Sequence, residues 1–305
     1  MPVTTLLDIA IQNGSDAVVG LIEDVRRAHP EISNGAARTI VGTSFKTLAR
    51  TSLPTVGFRQ ANAGSTPQKS TWENRVFSCH VLNPRWEIDV AVADAHEDGA
   101  AVAIANEAAG QMESAMVTLG AQFYYGAGTG GDANGPPGLI QLHDTAQVVD
   151  AGGTTDSTAS SLWAVRWGGQ GVTWLWGQNG ELALSEIAKQ RVTDAAGGVY
   201  SAYCQEILAR PGLMVGEKYA VGRIKKLTAD SGKGLTDALI SELLSKFPAG
   251  RGPDALYCSR RSLFQLQKSR TATNATGAPA PIPNESFGVP LFVTDSILDT
   301  ETLAL

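Results

Sequence analysis

The residues able to do chemistry stand apart in this chain. The four histidines, His29, His80, His96 and His143, are far from one another in sequence, and no two have metal-ligand spacing. Only folding could bring them together. Cys79 and His80 are adjacent, and on a strand adjacent side chains face opposite sides, which argues against a thiolate–imidazole pair. No G-x-S-x-G nucleophile elbow occurs. Gly126, Gly128 and Gly131 match G-x-G-x-x-G, but a dinucleotide site needs a strand before the glycines and a helix after them. Here a helical pattern precedes and Pro136-Pro137 follows, so a flexible link between domains is the better account. Gly232-Lys233 is followed by Gly234 rather than Ser or Thr, so it is no phosphate loop. Asp94, Glu97, Asp98 and Glu107 fit a capped, solvated helix better than a paired-carboxylate site. Arg223, Lys225, Lys226, Arg260, Arg261, Lys268 and Arg270 could hold phosphates, yet solvation or pairing with acids across an interface is their commoner use. The sequence assigns no catalytic, cofactor-binding or metal-binding residue.

Composition bounds what remains. At 305 residues, 43% hydrophobic and 18% charged, the chain can bury a large core in one or two domains. A net charge of −6 argues against wrapping nucleic acid, which calls for basic stripes. No apolar run approaches the roughly 20 residues that cross a bilayer, and MPVTTLLDIAIQNGSD lacks the basic start and apolar block of a signal peptide. Cys79, Cys204 and Cys258 are odd in number and show no paired spacing, so a reducing cytoplasm is the expected compartment.

The elements that would position side chains are more telling than the side chains. Residues 3–28 read as a short helix, a turn at Asn13-Gly14-Ser15 and a second helix ending before Pro30, together an arm that packs on something else. From Leu53 to Ala93 the pattern is that of strands. Val56 and Phe58 precede a polar tip, Gln60 to Ser70, and Arg75 to Leu82 return as a strand. Trp86, Ile88, Val90 and Val92 alternate with polar or small residues as in a half-buried strand. A long two-stranded hairpin with a polar tip is marginal alone. It is therefore expected to lie on another chain, with Asn62, Gln68, Lys69 and Trp72 as inter-subunit contacts. Asp94 to Tyr125 reads as one helix of roughly 45 Å, opened by a capping box of Asp94 and Glu97. Its expected buried stripe is Ala101, Ala105, Ala108, Met112, Ala115, Leu119 and Phe123, with Ala103 outside it.

Beyond Gly138 a second domain is expected. Leu162 to Trp176 reads as a hairpin whose tryptophans serve packing rather than ligand binding. Val192 to Leu208 has mixed helical and turn character around Gly197-Gly198, and Leu213 to Lys226 is strand material. Asp237 to Phe247 is an amphipathic helix, Ala255 to Cys258 a strand, and Ser259 the cap of the next helix. Val289 to Thr294 forms a last strand.

This order of parts resembles the major capsid proteins of tailed bacteriophages, a shell fold shared with encapsulins. GLMVGEKYAVGRIKKL and Phe287 to Ile297 (FGVPLFVTDSI) are similar to segments of such proteins, as is the GxG…PPGL crossing. The resemblance implies an α+β fold. Residues 1–50 would be an N-terminal arm, 51–92 an extended loop, and 93–135 a peripheral domain with its spine helix. Residues 136–288 would be an axial domain, and 289–305 a closing strand and tail. It further implies a structural protein, not an enzyme, with no cofactor. Its partners would be other copies of itself in pentamers and hexamers, a scaffolding protein, portal and decoration proteins. The shell would enclose double-stranded DNA without sequence-specific binding or a membrane, in a virion assembled in the host cytoplasm. Some relatives carry a long N-terminal scaffolding region, for which this sequence has no room.

Net acidity suits a container whose DNA must not stick to the wall. The alternatives are an encapsulin-like compartment holding a cargo enzyme, or a nucleotide-dependent enzyme using Gly126 to Gly131. Some relatives also cross-link their shells through a loop lysine, a neighbour's asparagine and a buried carboxylate. Lys69 is suitably placed, but Pro67, Gln68, Ser70 and Thr71 give its amine little apolar cover. A solvated Lys69 and a non-covalent shell are expected.

Overall fold

The computed structural model describes residue 4 and residues 27–180, 182, 184–274 and 278–305. The helices expected over residues 3–28 lie outside the described residues, apart from Thr4, Arg27 and Ala28. The chain runs through α1 (Pro30–Ser33), β1 (Ala37–Thr39), β2 (Ser44–Ser52), β3 (Thr71–Ser78), β4 (Arg85–Asp89), α2 (Val90–Ala93) and α3 (Ala100–Tyr125). It continues with α4 (Leu139–Leu142), β5 (Val148–Asp150), β6 (Ser160–Val165), β7 (Val172–Trp176), β8 (Ala188–Thr193), β9 (Val199–Glu206), β10 (Pro211–Val215) and β11 (Val221–Leu227). The last elements are α5 (Asp237–Ser245), β12 (Ala255–Cys258), α6 (Arg260–Ala272), β13 (Glu285–Ser286) and β14 (Val289–Val293).

β6, SSLWAV, is buried along its whole length. It sits between β11 and β12 in a six-stranded sheet of order β13-β14-β12-β6-β11-β5, and both faces are covered. On one face Trp163, Val165, Val221 and Tyr257 meet Leu119, Phe123, Tyr124 and Tyr125 from the end of α3. On the other, Leu162, Ala164, Ile224 and Leu256 meet Ile240 and Leu243 of α5 and Leu263 and Leu266 of α6. Fully burying a side chain such as Phe123 stabilises by about 1.5–3 kcal/mol. Phe123 also stacks on Trp167 and Trp174, with ring centroids 5.6 and 5.3 Å away.

A second sheet, β4-β9-β8, covers the other half of α3, where Trp86 and Ile88 pack on Ala103, Ile104 and Ala108. A third sheet, β1-β7-β10, adjoins a two-stranded ribbon of β2 and β3.

Several expectations from the sequence are corrected. The long helix begins at Ala100, not Asp94, and at 1.5 Å per residue is roughly 39 Å long. No capping box forms at Asp94. The Asp89 carboxylate instead accepts from the Ala91 N–H and caps the separate turn α2, which takes Val90 and Val92 out of the strand. Gly99, at φ 89°, then breaks the path before α3. Ala101 and Ala105 are exposed, while Ala103 and Ile104 are buried. Alanines fall on every side of this first half, so steps of three and four could not choose a face. The stripe from Ala108 through Ala115, Leu119 and Phe123 is buried apart from half-buried Met112.

The expected hairpin over Leu162–Trp176 does not form. β6 pairs with β11 and β12, whereas β7 pairs with β1 and β10, and the glycine-rich turn between them changes sheets. Its tryptophans do pack inward: Trp163 and Trp174 are buried. Val192 to Leu208 holds no helix. Val199 to Glu206 is strand β9, and the turn before it folds over the Asp194 carboxylate, which accepts from the Ala196 and Gly198 N–H groups.

Two polar clusters tie the segment after β14 to the rest of the chain. Glu31 is fully buried and accepts a hydrogen bond from Ser296, with His29 beside it. Gly120 makes the room, since a Cβ there would lie 2.2 Å from the Ser296 hydroxyl oxygen. Glu301 is buried with Arg223 at 3.1 Å and accepts from Ser161 and Tyr125 at 2.6 and 2.7 Å. Burial first, then the Glu301 charge, raises the Tyr125 phenol far above its ordinary range and keeps it a donor.

Adding bulk on α3 tests the corrected face. Ala103→Leu and Ala115→Leu are each expected to cost about 1–3 kcal/mol through overpacking. Ala105→Leu should stay within about 0.5 kcal/mol of the parent. Urea unfolding of the unassembled subunit measures all three, and equal tolerance would mean the buried face lies elsewhere.

Candidate assembly surface

The chemistry-bearing residues are used structurally. His29 packs against Ser296 and Glu31, His80 contacts the Asn134 carbonyl through Nδ1 at 2.8 Å, and His96 accepts from the Asp98 N–H. His143 lies edge-on to Trp163, and burial lowers its pKa. Among the described residues no three His, Cys, Asp or Glu side chains form a group that could hold a metal ion. All three cysteines are free thiols. Burial pushes the Cys258 thiol up to about 12 and raises Cys79 as well, so neither resembles an activated nucleophile.

Gly126 to Gly138 is a stitched crossing rather than a loose link. The Gln122 side chain donates to the Pro136 and Asp132 carbonyls and accepts from the Asp132 N–H. Gln141 donates to the Tyr125 carbonyl and accepts from the Gly138 N–H. A Cβ on Gly131 would fall 1.9 Å from the Gly126 carbonyl oxygen, and one on Gly126 would fall 2.0 Å from the Gln141 amide oxygen. A helix rather than a strand precedes these glycines and Pro136-Pro137 follow them, so the structural context of a dinucleotide fingerprint is not met.

Among the described residues, the ribbon is an element with one face uncovered. β2 pairs with β3 from Ser44↔Ser78 to Ser52↔Thr71, so its first strand starts upstream of residue 51, where the loop was expected to begin. Alternation of Phe45, Thr47 and Ala49 with Lys46, Leu48 and Arg50 is the signal for that strand. Phe77 anchors the base against Ile40, Leu175 and Met214. Arg75 donates to the Gly216 carbonyl at 2.9 Å. Residues directly opposite in an antiparallel pair share a face. One face therefore carries Phe45, Thr47, Arg75 and Phe77 toward the body. The other carries Lys46, Leu48, Arg50, Trp72, Asn74 and Val76, all exposed.

Beyond the ladder, residues 53–70 hold no strand or helix. Leu53, Val56 and Phe58 are exposed there. So are Asn62 (φ 63°), Gln68 and Lys69. Trp72 is half exposed beneath the Arg50 guanidinium, 4.4 Å from its ring centroid. The structure thus places Asn62, Gln68, Lys69 and Trp72 on one protruding element. A two-stranded ribbon presenting this much apolar surface gains little from its own burial.

A family model described as Major capsid protein GP7 matches residues 37–304. Among curated proteins no sequence matches. In the near-atomic cryo-EM structure of Bacteriophage Epsilon15, one chain is similar with a TM-score of 0.73 at 22% identity, covering 99% of this chain and 98% of that one. A chain of Mycobacterium phage Bobi gives 0.49 at 11% identity, over 72% and 97%. The SrpI encapsulin of Synechococcus elongatus gives 0.48 at 8%, over 75% and 98%. The Epsilon15 likeness shows a shared mixed α+β fold along the whole chain.

Exposure of the ribbon tip has a direct readout. In the unassembled subunit, the first trypsin cuts beyond residue 36 are expected after Arg59 and Lys69. A first cut inside a paired strand, such as after Arg191, would mean that residues 53–70 are better held than the geometry allows.

Proposed function

The chain belongs to the Major capsid protein GP7 family, and from that premise we propose that its copies assemble as pentamers and hexamers into the icosahedral head of a tailed bacteriophage around double-stranded DNA. It is a structural protein of the virion that self-assembles into the shell, not an enzyme. The observation carrying the finer reading is the ribbon, whose outer face and tip have no home within the described chain. Contacts between different patches on successive copies close rings and shells, and an extended element reaching a neighbour is such a contact.

On this reading residues 1–50 are the arm and 51–92 the extended loop, to which the strand from Ser44 contributes. The spine helix, with β4, β8 and β9, forms the peripheral unit. That unit then draws strands from inside residues 136–288, and the remainder forms the axial unit around the six-stranded sheet. Residues 289–305 close it. Asn62, Gln68, Lys69 and Trp72 make contacts between subunits, over interfaces of the obligate class at roughly 2,000–5,000 Å². A scaffolding protein, portal and decoration proteins are the further partners of this reading. A compartment holding a cargo enzyme is the rival, and purified particles containing protein cargo but no DNA would establish it instead.

Deleting Asn62 to Gln68 should leave a folded subunit, with unchanged circular dichroism, that fails to form stable shells. Normal particles from this deletion would remove the ribbon from the assembly mechanism.

Lys69 is exposed, and its neighbours Pro67, Gln68 and Thr71 are exposed too, so it has no apolar cover in the subunit. Mature particles boiled in detergent should therefore run as a single band near 32 kDa. A ladder of heavier species that disappears in Lys69→Ala would establish covalent joining.

A further inference from the structure

One histidine divides two clefts of opposite charge balance. His143 follows α4 and lines both of them: one of about 500 Å³ between the ribbon and the body, and one of about 620 Å³ at the β5 edge of the large sheet. Around the ribbon-side cleft, Glu73 and Arg75 come from β3, Asp144 from the turn after α4, and Glu217 and Lys218 from the chain after β10. Carboxylates outnumber cations there. The sheet-side cleft reverses the balance, with Arg223 and Lys225 of β11 against Asp150 of β5. Glu73 stands opposite Ala49 in the ladder, so it belongs to the ribbon face that looks toward the body. The imidazole is edge-on to Trp163, with ring centroids 5.6 Å apart, and the Arg223 guanidinium lies 5.0 Å from the centroid of the same indole. Nδ1 donates to the Leu139 carbonyl at 3.0 Å, which leaves Nε2 bare in the neutral ring.

We propose that His143 is an acid-operated clasp between the large sheet and the ribbon: on gaining a proton, its ring leaves the edge of Trp163 and joins the carboxylates of the ribbon-side cleft, Glu73 foremost. At its resting place a charged ring would stand near the Arg223 cation with little water to solvate it. The other cleft offers acceptors. Glu217 is already shared by Arg166 and Arg251, whereas the Glu73 carboxylate is more than half exposed and meets Arg75 only at 3.6 Å. Arg75 is held independently by the Gly216 carbonyl, so Glu73 can turn to a second cation without releasing it. Burial lowers the pKa of His143, and the Arg223 charge acts the same way, against the Leu139 carbonyl and Asp144. An unfolded histidine takes its proton at about 6.5, so the resting arrangement loses stability as pH falls from there to the lowered value, and no further below it. The clasp concerns the subunit alone and does not depend on where the ribbon lies in a shell.

The first test is an NMR titration of the full-length, unassembled subunit, with ¹³C in its histidine rings and ¹⁵N in its backbone and indoles. His143→Gln identifies the His143 ring signal by its loss. In the parent that ring is expected to titrate below the ordinary histidine value. The Trp163 indole and the backbone N–H groups of Thr71 to Ser78 should move with the same midpoint. Hydrogen exchange in β3, corrected for pH, should slow about threefold or more below it. A His143 ring that titrates while the ribbon signals stay still would overturn the clasp. So would ribbon signals that move at the same pH in His143→Gln.

The second test removes the destination and leaves the histidine in place. In Glu73→Gln the His143 midpoint should fall further, because the charged ring has lost its acceptor, and the slowing of exchange in β3 should shrink about twofold or more. Asp150→Asn, in the opposite cleft, should leave the ribbon response as it is in the parent. Circular dichroism checks the folding of each variant, and Glu73→Gln decides the matter even where His143→Gln does not fold. An unchanged midpoint and ribbon response in Glu73→Gln would overturn the proposal, as would loss of the response in Asp150→Asn. The deletion of Asn62 to Gln68 keeps both Glu73 and His143, so the clasp and the assembly reading fail separately.

Discussion

One helix has to serve two cores at once, and much of the molecule follows from how it does so. The first half of α3 is alanine-rich and lets the β4-β9-β8 sheet approach closely. Its last turn changes character to Phe123, Tyr124 and Tyr125, all fully buried against the large sheet. A rigid rod of roughly 39 Å therefore fixes the distance and orientation between two sheets that share no strand. Gly120 and the aromatic run also receive the chain on either side of it: Glu31 and Ser296 close over Gly120, and Glu301 takes the Tyr125 hydroxyl. Moving the helix would disturb every one of these contacts.

The fold was legible in the sequence where a local pattern had one structural meaning. Ala255 to Cys258, capped beyond by Ser259, and Val289 to Val293 were plain because short apolar runs sat between clear breakers. The start of the long helix was obscured because two capping signals overlap, and Asp89 captured a backbone N–H before Asp94 could. The first half of the helix offered alanine on all sides, so its inward face depended on a sheet whose strands β8 and β9 lie some eighty residues further on. Strands β6 and β7 looked like a hairpin because their residues alternate and a glycine turn joins them. Nothing local records that each has better partners elsewhere.

The candidate surface was legible for a different reason. Absence of any convergent catalytic set, together with a hairpin too long for its own burial, pointed outward from the chain. The sequence marked the tip, with Asn62, Gln68 and Lys69, and Trp72 just beyond it, but not the face, because facing depends on the register of β2 against β3. Lys46, Leu48 and Arg50 become a surface only when set opposite Val76, Asn74 and Trp72. Family membership supplies the shell; the physics of the ribbon supplies the reason a lone subunit is unfinished.

The buried Glu301 also sets how far the large sheet tolerates misplacement. Arg223 lies on β11, next to the edge strand β5, and its carboxylate partner stands 78 residues further along the chain. With Glu301 displaced, the guanidinium would have no counter-ion in an apolar setting, where an unpaired charge is strongly destabilising. β14, which joins the same sheet beside β12, lies between the two in sequence. A packing that seats the strands but misplaces the segment after them carries the cost of a buried charge, so the pair works as a latch that closes only on the correct arrangement.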